Sequence, residues 1–246
     1  FGGGILQINL LVDTILASLL GFGSISFLYF ADRIAQLPLG IIGIALGSVL
    51  LTSLSKSNAS KDKKSFSNDL ITSFTIGLFF SIPTAIVFIN FSDLFIRVLF
   101  ERGEFTSLET IQTSYALIAY SFGIPAFILL KSCQPAFFAE GNTKTPLYVG
   151  IILLTLNVFL SILFMYYWRH AGIALATSIS SWIGVIIYLL LLIKGGKILK
   201  SGNNQLNKHL SYNSLVVYFF KIFMVSLIML AIMKLFFHIL LIYQIN

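Results

Sequence analysis

Seven long apolar runs follow one another along this chain, and they constrain its fold more than any other feature. We place them at residues 4–21, 26–54, 68–91, 110–137, 147–167, 171–193 and 213–243. About 20 consecutive apolar residues are enough to cross the hydrocarbon core of a bilayer as a helix. Only 10% of the residues are charged, whereas about a quarter are charged in a typical soluble domain. The sequence therefore predicts an all-α fold, a polytopic membrane helix bundle with about seven transmembrane helices.

The loops between these runs alternate in charge. Lysines occur in 55–65, 139–146 and 194–209, whereas 22–24 is uncharged and 91–110 contains more acids than bases. Cationic loops stay on the cytoplasmic side of a membrane. The pattern predicts that each run crosses the membrane once and that the N-terminus is cytoplasmic. It also explains the net charge of +7 as a matter of topology, so we expect no nucleic acid partner.

No motif in the sequence supports an enzyme. There is no paired acidic motif for diphosphate-metal chemistry, no phosphate-binding glycine loop and no nucleophile elbow. The histidines His170, His209 and His238 are scattered, and Cys133 is the single cysteine. A single cysteine excludes an intramolecular disulfide and a cysteine metal cluster. We therefore predict a protein that is not an enzyme.

Asp13 lies in the middle of the first apolar run, where a charge costs about 2.5–3.5 kcal/mol on insertion scales. Asn9 precedes it by one helical turn, and the pair can hold a cation or a proton. The alternative is a carboxylate that only forms hydrogen bonds between helices. In later runs Asn157 and Ser161 are one turn apart, and Thr177 follows in the next run. Alone, such residues are typical of helix–helix hydrogen bonding, but together with Asp13 they offer the ring of oxygens that a sodium ion needs.

Asp32 and Arg33 lie side by side in the second run. Adjacent residues on a helix point about 100° apart, so Asp32 and Arg33 are not expected to bond each other directly. Residues four apart share a face, which pairs Asp32 with Gln36 and Arg33 with Tyr29. We expect Arg33 to project into a hydrated cavity, because its planar fork binds phosphate oxygens and stays charged at any depth. The alternative is an ion pair with another helix. Lys131, near the end of the fourth run, either snorkels to the membrane surface or adds positive charge to the cavity.

The second run also contains residues that bend a helix. Pro38 frees a backbone carbonyl and is expected to kink the span. The following Gly43 and Gly47 are four residues apart and allow another helix to approach closely. A bent helix next to charged residues is consistent with a transporter.

Five stretches carry a resemblance to a known family. In chain order they are "QINLLVDTILAS", "FADRIAQLPLGIIGIALGSVLLTSLSK", "LFERGEFT", "LIAYSFGIPAF" and "GNTKTPLYVGI". Together they cover about residues 5–195 and resemble the MurJ (MviN) family of bacterial flippases for lipid-linked peptidoglycan precursors, a branch of the MOP exporter superfamily. The resemblance implies that 1–195 is the second six-helix lobe of a two-lobe exporter, 196–208 a cytoplasmic loop and 209–246 an additional transmembrane helix. It also implies that the N-terminal lobe of the same chain is missing from this sequence.

The resemblance further implies a function and a set of site residues. A flippase of this family moves lipid II, a polyprenyl-diphosphate-linked disaccharide-pentapeptide, from the cytoplasmic to the outer leaflet of the bacterial inner membrane by alternating access. Arg33 and Asp32 match the cavity residues that handle the anionic substrate, and Lys131 is our further candidate. Asp13, Asn157 and Thr177 match a sodium site, to which Ile173 can add only its backbone carbonyl. Where some family members have a second Asp one turn after the Asn, this chain has the neutral Ser161.

Other functions remain open at this point. The first is another exporter of the same superfamily, for a different lipid-linked oligosaccharide or for cationic small molecules. A membrane-embedded glycosyltransferase or ligase would need a catalytic carboxylate or a large extracytoplasmic loop, and the loops here are short. A non-transporting interaction partner is the third alternative. Beyond sodium coupling we expect no cofactor, and the expected partners are lipid II, membrane lipids and the missing lobe.

Overall fold

The computed structural model describes residues 2–198 and 212–245, and the side chains of 7–198 and 217–236. These residues form seven α-helices and one π-helical turn. In chain order they are α1 (Gly2–Ser18), α2 (Ser24–Pro38), the π turn (Leu39–Gly43), α3 (Ile44–Ala59), α4 (Lys63–Phe100), α5 (Ser107–Phe138), α6 (Lys144–Lys194) and α7 (Tyr212–Ile245). The predicted all-α fold is confirmed. Most of the predicted loop at 196–208 lies outside the described residues.

Helix α6 is two antiparallel halves joined at Arg169. This residue has φ 49° and ψ −133°, a backbone conformation that no α-helix contains. The side chains of Asn157 and Thr177 lie 3.0 Å apart, although 20 residues of straight helix would separate them by about 30 Å. We therefore call 144–168 the first half of α6 and 170–194 its second half. They correspond to two of the predicted membrane crossings.

The seven predicted apolar runs all lie on helices. Within the described residues, five helices are long and apolar enough to cross a membrane by length and composition, with α2, the π turn and α3 counted as one. Helix α6 supplies two of the predicted crossings, and α1, at 17 residues, is the shortest of the apolar helices. The chain thus has the helical segments that the hydropathy pattern predicts.

The predicted bend in the second run takes the form of a π turn. Residues Leu39–Gly43 form a π helix directly after Pro38, which has no backbone N–H to continue the α-helical pattern. Beyond the turn, a Cβ at Gly47 would lie 3.3 Å from the carbonyl oxygen of Lys131 on α5. The glycine therefore allows α3 and α5 to pack closely.

Two helices begin with side chains that satisfy free backbone N–H groups. At the start of α4, Asp62 accepts hydrogen bonds from the N–H groups of Lys64 and Ser65, each at 3.0 Å. At the start of α5, Thr106 and Glu109 form a reciprocal capping box. Such caps fix the residue at which a helix begins. The loops before α4 and α5 therefore end at defined residues.

The buried apolar residues form two clusters that share α5. One cluster joins α3, α4, α5 and both halves of α6 around Leu54, Leu70 and Tyr188. The other joins α1, α2, α4, α5 and α6 around Ala31, Ile124 and Ile173. Helices α4, α5 and α6 contribute to both clusters. Helix α5 packs against α2, α3, α4 and α6, whereas α1 packs against α6 and α2.

Candidate functional site

Asp13 lies between α1 and the α6 hairpin. Its side chain is 8% exposed, and Oδ2 is 3.3 Å from the hydroxyl of Thr177 on the second half of α6. The same hydroxyl lies 3.2 Å from the carbonyl oxygen of Ile173. The structure thus brings together residues from opposite ends of the sequence, and the single proton of Thr177 has several oxygen acceptors.

Asn157 completes this cluster from the first half of α6 and is 1% exposed. The Asn157 amide is oriented so that both of its polar atoms have hydrogen-bond partners. Nδ2 donates to Asn9 Oδ1 at 2.9 Å and to Asp13 Oδ1 at 3.1 Å. Oδ1 then accepts from the backbone N–H and the hydroxyl of Thr177, at 3.2 and 3.0 Å. We call Asn9, Asp13, Asn157 and Thr177 the oxygen cluster, because each contributes at least one side-chain oxygen.

Ser161 follows Asn157 by one turn and is fully buried. Among the side chains that the structure describes, its Oγ has no hydrogen-bond partner. A buried hydroxyl without a partner is costly, so Ser161 leaves an unsatisfied oxygen on the helix that carries Asn157.

The oxygen cluster allows both interpretations of Asp13. Its hydrogen bonds join α1 to both halves of α6, which is the structural interpretation. A carboxylate, a hydroxyl, an amide oxygen and the Ile173 carbonyl are also the ligand types that hard cations prefer. The residues present therefore fit a small hard cation.

Arg33 lies on the open face of α2 and is exposed. Its guanidinium carbon is 4.7 Å from the centre of the Tyr29 ring, a cation–π distance. Within residues 7–198 and 217–236 Arg33 forms no ion pair. The Gln36 amide donates to the carboxylate of Asp32. The two side-chain pairs predicted from the one-turn spacing are both present.

Lys131 of α5 packs against the helix that carries Arg33, but at Gly43 in the π turn. It is partly buried, and its Cγ is 3.6 Å from where a Cβ of Gly43 would lie. Gly43 follows Arg33 by ten residues, about 15 Å along a helix. The structure therefore does not bring Lys131 and Arg33 into one anion-binding pair.

No sequence prediction covered three exposed hydroxyl residues on α3. Ser48, Thr52 and Ser55 are exposed on the helix that continues from Arg33 through the π turn. Their spacing of four and then three residues equals that of Tyr29, Arg33 and Gln36. This repeated spacing is the feature of the sequence from which the three hydroxyl residues could have been predicted.

Membrane-length helices packed against one another, with an oxygen cluster between helices and an exposed arginine that forms no ion pair among the described side chains, define a polytopic membrane helix bundle. The fold is similar to that of a solved structure described as an outward-facing multidrug resistance MATE family transporter of the MOP superfamily. That likeness has a TM-score of 0.71 at 16% identity and covers 92% of this chain and 49% of that one.

The family model for "Lipid II flippase MurJ" matches residues 1–245, and the chain belongs to this family. A probable lipid II flippase MurJ of Vibrio cholerae is 37% identical over 187 residues, which are 76% of this chain and 36% of that protein. A relative with the same description from Buchnera aphidicola subsp. Schizaphis graminum is 36% identical over 227 residues, 90% of this chain and 43% of its own length.

A solved structure of a lipid II flippase MurJ, in an inward closed conformation, is 35% identical to this chain with a TM-score of 0.78. The match covers 94% of this chain and 45% of that one. The chain thus spans less than half the length of the flippases to which it is similar. The family and the apolar helices together make it a multi-pass membrane protein.

Proposed function

We propose that the intact gene product moves lipid II from the cytoplasmic to the outer leaflet of the bacterial inner membrane. The observation that carries this proposal is Arg33, a guanidinium that is exposed on a membrane-length helix and forms no ion pair among the described side chains, in a chain of the MurJ family. A buried structural arginine would have a carboxylate partner. An arginine held without one is suited to meet an anion that arrives and leaves.

The neighbours of Arg33 support an anionic ligand. Asp32 accepts from the Gln36 amide, and among the described side chains it forms no salt bridge with Arg33. Tyr29 packs against one face of the guanidinium, which restricts its motion and leaves its N–H groups available. A diphosphate presents pairs of oxygens that match the planar fork of arginine.

The transport step requires no bond to be made or broken. In alternating access, two lobes rock about a central cavity, and this chain would supply one of them. A first lobe, which we expect from the sequence resemblance, would supply the other. Between them, Arg33 would hold the diphosphate while the apolar polyprenyl tail stays in the bilayer. Lys131 would add positive charge nearer the lysine-rich end of the cavity.

We further propose that a sodium ion couples to this movement at the oxygen cluster. Asp13, Asn157, Thr177 and the Ile173 carbonyl would hold it. One N–H of the Asn157 amide donates to Asp13 Oδ1. Binding of a cation would require the Asn157 amide to turn its oxygen toward the ion. The neutral Ser161 leaves a single carboxylate, so the site would bind the ion more weakly than one with two carboxylates.

The test is a translocation assay on the intact gene product in sealed vesicles. We expect fluorescent lipid II to cross the bilayer faster than in empty vesicles. The second candidate function, export of cationic small molecules, has a specific observation in its favour, the carboxylate of Asp32 beside the open face. Transport of a lipophilic cation without translocation of lipid II would establish that alternative and overturn the proposal.

A further inference from the structure

Two triplets of exposed residues occur at equal spacing in the long helix formed by α2, the π turn and α3. Each member of the second triplet follows its counterpart by 19 positions. The first triplet is Tyr29, Arg33 and Gln36, and the second is Ser48, Thr52 and Ser55. We call these six residues the polar stripe.

The π turn explains why this spacing places both triplets on one face. An α-helix has 3.6 residues per turn, so 18 residues make five complete turns. A single π turn within a helix accommodates one extra residue. Nineteen residues that include Leu39–Gly43 therefore return to the same side. In an uninterrupted α-helix the second triplet would be rotated away from the first by about 100°.

The packed face of the same helix gives independent support. Three buried residues of α2 have buried counterparts 19 positions later in α3. The pairs are Ala31 with Leu50, Ala35 with Leu54, and Pro38 with Ser57. Both the packed face and the open face thus continue through the π turn, which shows that the turn sets the register of the whole span.

The hydroxyls of the stripe present acceptors toward the open side. Ser48 donates to the Ala45 carbonyl at 3.0 Å, and Thr52 donates to the Ser48 carbonyl at 3.2 Å. Ser55 similarly donates to a carbonyl of its own helix at 2.7 Å. Because each hydroxyl proton is already used, the oxygen lone pairs remain for a ligand that donates. Sugar hydroxyls and peptide N–H groups are such donors.

Charge at the two ends of the stripe favours an anionic occupant. Arg33 belongs to the first triplet, and Thr52 is 19 residues away, about 28 Å along the helix. Lys56, one turn beyond Thr52, is also exposed. Hydrocarbon tails would leave these two cations without partners, whereas a headgroup with phosphate and sugar offers anionic oxygens to the cations and donors to the hydroxyl oxygens.

We infer that the two triplets of the polar stripe are contact surfaces for the headgroup of one lipid-linked diphosphate sugar, with Ser48, Thr52 and Ser55 binding its sugar–peptide part and Arg33 its diphosphate. This assignment deepens the proposed function and rests on it. The π turn is the device that aligns the hydroxyl segment with the arginine. Without it, the hydroxyls would lie on a different side of the helix from Arg33.

The experiment is cysteine labelling in the intact gene product, with Cys133 and any cysteine outside this chain replaced by alanine. Cys133 is buried and is the only native cysteine of this chain. Single cysteines at positions 48, 52 and 55 are compared with Val49→Cys, since Val49 is 70% exposed but lies off the stripe. A charged, membrane-impermeant thiol reagent reacts with the thiolate, which needs water. We expect stripe cysteines to react about tenfold faster than the control.

Protection by ligands then identifies the occupant. Lipid II should slow labelling at positions 48, 52 and 55, whereas polyprenyl diphosphate without sugar should not. Stripe cysteines that react no faster than Val49→Cys would show a face covered by lipid or protein, and would overturn the inference. Fast labelling that lipid II does not slow would overturn it equally.

A hydroxyl deletion separates this inference from the proposed function. Thr52→Val should raise the lipid II concentration for half-maximal translocation by about two- to tenfold, the loss of one hydrogen bond. The matched control is Thr155→Val, because Thr155 is also exposed and also donates to a carbonyl of its own helix, at 3.0 Å. If the unmodified protein translocates lipid II and Thr52→Val has no effect, the headgroup role of the polar stripe is contradicted and the proposed function is not. Absence of lipid II translocation in the unmodified protein contradicts the proposed function.

Discussion

The hydroxyl of Thr177 lies 3.3 Å from the carboxylate of Asp13, across 164 positions of sequence. This contact joins α1 to the second half of α6, and Asn157 brings in the first half through the same carboxylate. Three helical segments therefore meet at one buried charge. A change in what the Asp13 carboxylate binds would therefore affect α1 and both halves of α6.

Replacement of Asp13 by Asn should reduce the sodium dependence of translocation, because the amide keeps the shape of the side chain but removes the charge that attracts the cation. The measurement is lipid II translocation by the intact gene product at a series of sodium concentrations. Asp93→Asn is the control, since Asp93 is exposed and pairs only with Arg97 in its own helix. Unchanged sodium dependence in Asp13→Asn would establish a purely structural carboxylate.

Replacement of Gly172 by Ala should destabilise the α6 hairpin. A Cβ at this position would lie 2.3 Å from the carbonyl oxygen of Phe164, and such overpacking costs about 1–3 kcal/mol. Gly40→Ala is the matched control, because its Cβ would meet nothing within 4 Å. Thermal unfolding in detergent should show a lower midpoint for Gly172→Ala only. Equal midpoints for the two variants would mean that the hairpin is less tightly packed than described.

Replacement of Asp62 by Ala should weaken the start of α4. The carboxylate accepts from two backbone N–H groups, and loss of such a cap lowers the free energy of unfolding by about 0.5–2 kcal/mol. Asp62→Asn keeps an acceptor and should lose less. Denaturant unfolding of both variants checks the ranking, and a larger loss in Asp62→Asn than in Asp62→Ala would contradict the capping role.

The sequence predicted the features that depend on local periodicity. The pairs of Arg33 with Tyr29 and of Asp32 with Gln36 follow from helical spacing alone, and both are present. The all-α fold followed from hydropathy in the same way. These relationships need only the geometry of one helix.

Relationships between helices could not be read in the same way. Nothing in the spacing of Asp13 and Thr177 indicates that they meet, because their distance depends on how α1 packs against α6. Pro38 indicated a bend, but not that the bend would take the form of a π turn that rotates everything after it. The roles of the site residues remain predictions.

The account depends most on Arg33 as the group that holds the diphosphate. The direct measurement is the rate of lipid II translocation by the intact gene product with Arg33→Ala and Arg33→Lys, beside the exposed control Arg102→Ala. We predict loss of translocation in Arg33→Ala and partial recovery in Arg33→Lys, because lysine keeps the charge but not the planar fork. Arg102→Ala should translocate normally. Translocation at the unmodified rate by Arg33→Ala would contradict the account.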